Sequence, residues 1–367
     1  MDNYLNSLAD TIVNYSLNVS KGEKVLITYH SEECTSFVKM LIEKIISKGG
    51  IPMFKYSFNE INSLIMENLN EDIIDLIVKN KEHEVYTYDS IVQIIYNDND
   101  YENKNVSPKM LNLLGEKSRE IDDIRINKRK WVLLNYPSKL DAYKAKMTTN
   151  DFREYALKAM TADYQKMNEV LKPLKEMMEK TDKVRITGPN TDLTFSIKGM
   201  PAIICAGEYN IPDGEVYTAP IKDSVNGIIT YNTESPYRNG VYKNISLEFK
   251  DGKIVKATCD GDNDSLNEIF DTDSGSRFVG EFSLGVNPNI RNAMGDILYD
   301  EKICGSIHFT PGTCYENCDN GNVSSIHWDL VLIQREEYGG GNIYFDDVLV
   351  RKDGIFVKNE LKNINFD

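Results

Sequence analysis

The stretch GEKVLITYHSEECTSFVKMLIEKIISKGGIPMFKYSF, residues 22–58, decides the fold class of the first half of the chain. Its apolar run at 22–30 predicts a buried strand. Ser31 predicts a helix N-cap, apolar residues then recur at helical spacing, and a Gly-Gly pair predicts the helix end. The run at 51–58 predicts a second strand. A strand, a helix and a strand in this order predict a parallel sheet with a right-handed crossover.

The same alternation continues along the first half. A helical stretch is predicted at 59–80, with strands at 90–97 and 130–138. A long helical stretch at 149–180, which Pro173 is expected to kink or divide, then connects to the second half. We therefore predict an α/β N-terminal domain with a parallel sheet. It spans residues 1–180, including the connecting helix. No phosphate-binding glycine fingerprint follows the first strand, which argues against a nucleotide site.

The second half has a different texture, with short alternating apolar runs separated by Gly, Asn and Asp. The pairs Asn190-Thr191, Asp251-Gly252 and Asp353-Gly354 are typical of hairpin turns. Residues 181–367 are therefore predicted to form a predominantly β (α+β) C-terminal domain.

Composition excludes several classes of partner. The net charge of -15 argues against nucleic acid and acidic membranes, which bind clustered Lys and Arg. No run of about 18 apolar residues predicts a membrane span. The first twenty residues read as an amphipathic helix without a basic leader, so we expect a cytoplasmic protein. The six cysteines are too dispersed for a disulfide framework and are expected to be reduced.

Two of the four histidines lie in the β-rich half, His308 in GSIHFTPG and His327 in SSIHWDLV. Alternating residues of a strand point to one face, so His327 and Asp329 should project together while Trp328 faces the other way. A single histidine is most often a satisfied polar group of the core. A pair that includes a His-x-Asp strand favours a metal site.

Two carboxylates occur in unusual settings in the same half. Glu215 and Glu281 each follow a glycine directly and precede apolar residues. Either one alone is typical of a turn followed by an exposed strand residue. Together with His308, His327 and Asp329 they form a mixed oxygen and nitrogen set that suits two divalent ions.

Four segments in this order, DGEVYTAP, GEFSLGVNPNI, HFTPGTCY and IHWDLV, resemble the M29 metallo-aminopeptidases of the aminopeptidase T and aminopeptidase S type. The ending NIYFDDVLVRKDGIFV is similar to that family's closing hairpin. The family's two-metal centre maps onto five ligands of the C-terminal metal-binding domain. They are Glu215, Glu281, His308, His327 and Asp329.

The resemblance also implies a function. It implies two divalent metal ions per chain (Zn, Co or Mn), short peptide substrates cleaved at the N-terminus, and a homodimer. Tyr315 matches a tyrosine beside the metals. Glu281 as general base and Tyr315 as stabiliser or ligand are the expected catalytic residues. The chain departs from the family in the block after His308 and in a short interval from His308 to His327, which affects the expected pocket shape more than the ligands.

Two other interpretations stay open at this point. His308, His327 and Asp329 match the two-histidine, one-carboxylate triad of mononuclear Fe(II) oxygenases, including ring-cleaving dioxygenases on a related fold. Such a site does not need both Glu215 and Glu281. Alternatively, the two histidines could close a structural zinc site with Cys314 and Cys318, which leaves Asp329 without a role.

Overall fold

The computed structural model describes residues 2–237 and 240–366. Its contacts separate two compact units. The first contains the residues up to Thr161 together with Gly207–Pro212, and the second contains Ala162–Ala206 and the residues from Asp213 onward. The domain boundary predicted after residue 180 stays a prediction.

The helices are α1 (Asp2–Thr11), α2 (Thr35–Ser47), α3 (Asn59–Glu67), α4 (Glu71–Thr87), α5 (Pro108–Lys128), α6 (Lys139–Lys144), α7 (Thr149–Met160), α8 (Tyr164–Lys180), α9 (Asn263–Phe270) and α10 (Ile297–Asp300). The predicted cap at Ser31 accepts from Glu33 N, and helix α2 begins after the short turn Glu32–Cys34.

The stretch at 149–180 is divided between α7 and α8, where the Asp163 side chain caps Lys166 N, and Pro173 lies inside α8. Of the two expected effects of Pro173, the division of the stretch at this residue is wrong, because the cap starts a new helix before it.

The strands of the first half are β1 (Lys24–Tyr29), β2 (Ile51–Tyr56), β3 (Ser90–Ile95) and β4 (Lys130–Asn135). Those of the second half are β5 (Lys183–Gly188), β6 (Thr191–Ser196), β7 (Ile203–Cys205), β8 (Asn210–Ile211), β9 (Glu215–Thr218), β10 (Asn226–Thr230), β11 (Ser235–Tyr237), β12 (Gly240–Lys250), β13 (Lys253–Asp260), β14 (Val279–Gly285), β15 (Ser306–Pro311), β16 (Val331–Ile333), β17 (Asn342–Phe345), β18 (Val348–Lys352) and β19 (Ile355–Phe356).

The first unit contains a parallel sheet in the order β2, β1, β3, β4, β8. Buried apolar residues of β1 and α2, such as Val25, Ile27 and Leu41, form part of its core. The predicted α/β fold class of this half is confirmed. Among the described residues, none of the helices has the length and apolarity that crossing a membrane requires.

The second unit contains two antiparallel sheets, which confirms its predominantly β class. One has nine strands, from β11 and β12 at one side to β19 at the other, and the other has the order β16, β15, β14, β9, β7. The predicted turns at Asp251 and Asp353 join β12 to β13 and β18 to β19, with φ of 49° and 47°. The ring centroid of Phe195, in the larger sheet, lies 5.0 Å from the ring centroids of both Phe282 and Phe309 in the smaller sheet. Aromatic packing therefore joins the two sheets.

Candidate metal centre

The register of the smaller sheet collects the polar side chains of three strands on one face. Residues directly opposite one another in an antiparallel pair share a face, and so do residues two apart in one strand. The residues on this face are Glu215 and Tyr217 of β9, Glu281 and Ser283 of β14, and His308 and Thr310 of β15. The opposite face carries apolar residues such as Val216 and Ile307, which are fully buried.

The glycines that precede both glutamates are required by the backbone. Gly214 has φ of +135°, and a Cβ there would approach Asn287 to about 3.0 Å. A Cβ on Gly280 would lie 2.1 Å from the carbonyl oxygen of Thr313. Each glycine therefore permits a close approach that brings the next residue, Glu215 or Glu281, into the sheet.

The five predicted ligands come together in two overlapping groups. His308 Nε2 lies 3.4 Å from Glu215 Oε2 and 3.1 Å from Glu281 Oε1. His327 Nε2 lies 3.2 Å from Glu281 Oε2 and 3.2 Å from Asp329 Oδ1. Within each group the donor atoms all lie within 4.8 Å of one another. Glu281 belongs to both groups, and each of its carboxylate oxygens faces a different histidine.

His327 and Asp329 do project together, but not from a regular strand. Strand β16 begins at Val331, and His327 makes only an isolated bridge to Gly312. The prediction of a strand through the whole HWDLV run is therefore wrong. The segment is still extended, because Trp328 N donates to the carbonyl of Pro311. Trp328 faces away from the carboxylates and stacks on Tyr237 with ring centroids 4.5 Å apart.

The hydrogen bonds of the two imidazoles are compatible with a cation between each histidine and the carboxylates that it faces. His308 Nδ1 lies 3.3 Å from the carbonyl oxygen of Glu301, and His327 Nδ1 lies 2.9 Å from that of Thr313. A carbonyl only accepts, so each Nδ1 carries a hydrogen, and the Nε2 of each ring faces carboxylate oxygens, which are acceptors as well. Such contacts between acceptors repel unless a proton or a metal ion lies between them. This is the tautomer typical of a metal-ligating histidine.

The charge of the site favours a cation as well. Burial opposes protonation of His308, but Glu215 and Glu281 outweigh it and raise the pKa of His308 to about 10. Burial likewise opposes a charged His327, whose pKa is nevertheless raised by Asp329 and Glu281. Because protons and metal ions compete for the same lone pairs, a field that holds a proton this strongly also favours a divalent ion.

The ammonium group of Lys302 lies at the edge of this site. Its side chain is 2% exposed, and its Nζ lies 2.5 Å from Glu215 Oε1, 2.6 Å from Glu301 Oε1 and 3.7 Å from Asp213 Oδ1. Glu215 Oε2 accepts from Ser283 Oγ at 2.7 Å. Lys302 therefore occupies one oxygen of Glu215 and leaves the other directed at His308.

Glu301 forms a third group with His308 and Asp329. Burial raises the pKa of Glu301 to about 8, although Lys302 opposes the shift. Sequence reasoning missed Glu301, Lys302 and Ser283. The run DEKIC at 300–304 has the composition of a charged surface turn, and only its burial reveals a role at the site.

Tyr315 lies beside the second group. Its hydroxyl lies 3.3 Å from His327 Nε2, and its ring centroid lies 5.5 Å from that of Tyr217. Burial of the hydroxyl and the charge of Glu281 raise the pKa of Tyr315, so it stays a neutral hydrogen-bond donor.

The two cysteines of the structural-zinc interpretation lie elsewhere. Cys314 Sγ contacts Asp319 Oδ1 at 3.2 Å, and Cys318 Sγ contacts the carbonyl of Pro201 at 3.3 Å. Within the described part of the chain, no group of metal-compatible side chains contains Cys314 or Cys318. The geometry therefore disfavours a zinc site built from these cysteines.

The family model described as thermophilic metalloprotease (M29) matches residues 1–342. The chain belongs to the M29 family. Among individual relatives of this M29 protein, aminopeptidase 2 of Geobacillus stearothermophilus is 33% identical over 163 residues, which is 40% of this chain and 37% of that protein. Aminopeptidase T of Thermus thermophilus is 28% identical over 184 residues, 43% of this chain and 44% of the relative. These matches span less than half the length of the relatives.

The fold of the M29 chain has a counterpart among solved structures. Wild-type AmpT from Thermus thermophilus matches with a TM-score of 0.82 and 19% identity, over 97% of this chain and 100% of that chain. At this identity the likeness concerns the fold.

Proposed function

We propose that this M29 chain is a metal-dependent aminopeptidase that releases N-terminal residues from short peptides with two divalent ions. The observation that carries the proposal is the position of Glu281, which lies 3.1 Å from His308 through one oxygen and 3.2 Å from His327 through the other. A buried carboxylate shared by two groups of ligands suits the central position of a binuclear site. A mononuclear oxygenase would not need Glu215 and Glu281 together.

The residues divide naturally between two ions. Glu215 and His308 would hold one, His327 and Asp329 would hold the other, and Glu281 would serve both. Zn, Co and Mn all accept such carboxylate and imidazole ligands. When bound, the ions would lower the pKa of a shared water and polarise the peptide carbonyl.

The chain's own side chains would then handle the protons. A carboxylate oxygen of Glu281 would accept the proton of the attacking water through a lone pair that does not hold an ion, and would pass it to the nitrogen of the leaving amine. The neutral Tyr315 hydroxyl donates a hydrogen bond to the oxyanion that develops on the carbonyl. Lys302 and Ser283 hold Glu215 in place, so its remaining lone pairs stay directed at His308.

Elemental analysis of gently purified protein, paired with peptide assays, tests the proposal. We expect about two divalent ions per chain. We also expect release of the first residue from Leu and Met peptides after readdition of Zn, Co or Mn, and no release from the same peptides with an acetylated N-terminus. One iron per chain, no peptide cleavage and oxygen uptake with a dihydroxylated ring compound would instead establish the dioxygenase.

We also propose that the chain forms a homodimer. Edge strand β2 of the first unit exposes Met53 and Phe54, and Phe58 follows them, each more than half exposed. Apolar side chains on an unpaired strand edge are typical of a surface that association covers. Light scattering after size exclusion tests this, and a monomer at micromolar concentration contradicts it.

A further inference from the structure

The indole of Trp328 belongs to the residue between two candidate ligands in the sequence, and it is 3% exposed. It stacks with Tyr237 of β11, with ring centroids 4.5 Å apart and an interplanar angle of 23°. It also stacks with Phe270 of α9 at 5.7 Å and 27°, and Tyr242 of β12 meets it edge-on at 5.3 Å. Aromatic pairs at such distances contribute beyond the area that they bury. Three further elements of the second unit therefore contact this one side chain.

The backbone bonds of the same segment run to one neighbour, strand β15. Trp328 N donates to the carbonyl of Pro311, and Phe309 N donates to the carbonyl of Leu330, both at 3.1 Å. Strand β16, which continues the segment, ends the order of the smaller sheet. A segment at a sheet edge is paired along one side alone. Its bonds fix where it lies, but they resist twisting about its own axis less than two rows of bonds would.

A twist of this segment would move His327 and Asp329 together. Neighbouring side chains of an extended segment project to opposite sides, so a rotation that displaces the indole also displaces both ligands. Thr310 Oγ1 donates to Asp329 Oδ1 at 2.7 Å. The carbonyl of Thr313 lies 2.9 Å from His327 Nδ1. These two contacts orient the tips of the side chains, whereas the ring contacts of Trp328 hold the backbone from which both side chains project.

The other group of ligands has a different support. Glu215, Glu281 and His308 lie in β9, β14 and β15, and β14 pairs with both of the other strands. Hydrogen bonds along both sides of β14 therefore hold Glu281 and its neighbours in register. The two halves of the candidate centre differ in this respect, since one depends on paired strands and the other on the packing of Trp328.

We propose that Trp328 is a positioning residue for the ion that His327 and Asp329 would hold. The inference rests on the proposed function, and it adds that one of the two ions depends on a side chain that faces away from the ligands. Zinc bonds to nitrogen and oxygen are about 2.0 to 2.2 Å long, so a small displacement of both ligands weakens the site. Loss of a residue that orients metal ligands typically lowers metal affinity about 10- to 100-fold.

Calorimetric titration of the metal-free full chain with Zn tests the proposal. Wild type should show two binding events. Trp328→Leu should weaken one event about 10- to 100-fold and leave the other unchanged. Trp131→Leu is the matched control and should keep both affinities, because the other tryptophan of the chain packs on Tyr209 in the first unit, with ring centroids 4.9 Å apart.

A second comparison assigns the weakened event to its ligands. Glu215→Gln should retain the event at His327 and Asp329, and adding Trp328→Leu to it should weaken that remaining event by the same factor. General destabilisation of the fold would not select one event. Trp328→Phe, which keeps a ring at this position, should recover part of the affinity.

Tyr237→Leu provides a further variant if Trp328→Leu does not fold, because it removes one stacking ring and leaves the indole in place. It should weaken the same event and leave the other unchanged. Wild-type affinity for both events in Tyr237→Leu or Trp328→Leu, or equal weakening of both events, would overturn the inference while the proposed function stands. A single event in wild type would overturn the proposed binuclear centre and this inference with it.

Discussion

Lys302 and Glu215 form an enclosed ion pair, with Nζ 2.5 Å from Oε1 and side chains that are 2% and 6% exposed. The same ammonium contacts Glu301 and lies near Asp213. Three carboxylates, two of them buried, thus surround one cation. Its removal leaves negative charges buried without compensation, which costs far more than the loss of a surface pair.

Lys302→Met is therefore expected to lower the free energy of unfolding by about 3 to 5 kcal/mol. Urea unfolding of the metal-free protein measures this loss. Lys256→Met removes an exposed lysine of β13 and should change stability by less than about 0.5 kcal/mol. Equal effects of the two substitutions would show that Lys302 does not compensate the carboxylates.

The shared position of Glu281 predicts different metal contents for two matched variants. Glu281→Gln should lose both ions and most turnover with peptides, because each of its oxygens faces one group of ligands. Glu215→Gln should lose one ion, since Glu215 contacts only His308 of the two histidines. Elemental analysis after gel filtration counts the ions. Full metal content and near-normal activity in Glu281→Gln would contradict both its ligand role and its role as base.

Tyr315→Phe tests the proposed donor to the oxyanion. The loss of one preorganised donor typically lowers kcat about 100-fold, and we expect an effect of this order with unchanged metal content. Tyr338→Phe is the control, because the Tyr338 hydroxyl bonds Asn292 on the surface. An unaltered kcat for Tyr315→Phe would contradict the role as donor and would mean that Tyr315 only packs beside His327.

Asp273 predicts a pH dependence of stability. It accepts hydrogen bonds from Gly275, Ser276, Ser324 and Ser325, which tie the chain before β14 to the segment that leads to His327. Burial opposes its ionisation, but the bonds from Ser325 and Ser324 outweigh it and lower the pKa of Asp273.

Asp273→Asn should therefore lower the free energy of unfolding by about 1.5 to 3 kcal/mol at neutral pH, the usual range for hydrogen bonds to a charged group. Because the folded pKa lies below the unfolded value of about 3.9, this contribution is present above pH 4 and is lost as the pH falls through the folded pKa. The difference between wild type and Asp273→Asn in urea unfolding should shrink below pH 4. The matched control is Glu268→Gln, which changes an exposed carboxylate. The role of the charge would be contradicted if the loss of unfolding free energy in Asp273→Asn stayed constant with pH, or if it equalled the loss in Glu268→Gln.

Local patterns were sufficient for several elements of the chain. Strand β1, helix α2 and strand β2 follow from an apolar run, a Ser cap and a Gly-Gly stop, and the turns at Asp251 and Asp353 follow from Asp-Gly pairs. These features depend on residues that are neighbours in sequence. The division between α7 and α8 was missed because Asp163 is a weaker sequence signal for a helix boundary than the nearby Pro173.

The amino-acid sequence by itself determined the α/β and β-rich halves, the order of the five candidate ligands and the shared face of His327 and Asp329. Only the tertiary structure decided which carboxylate oxygen faces which histidine, and only it showed that Lys302 is buried. The physical reason is that strand register, exclusion of water and charge compensation are set by residues far apart in the chain, so a charged residue in a turn carries no local sign of its burial.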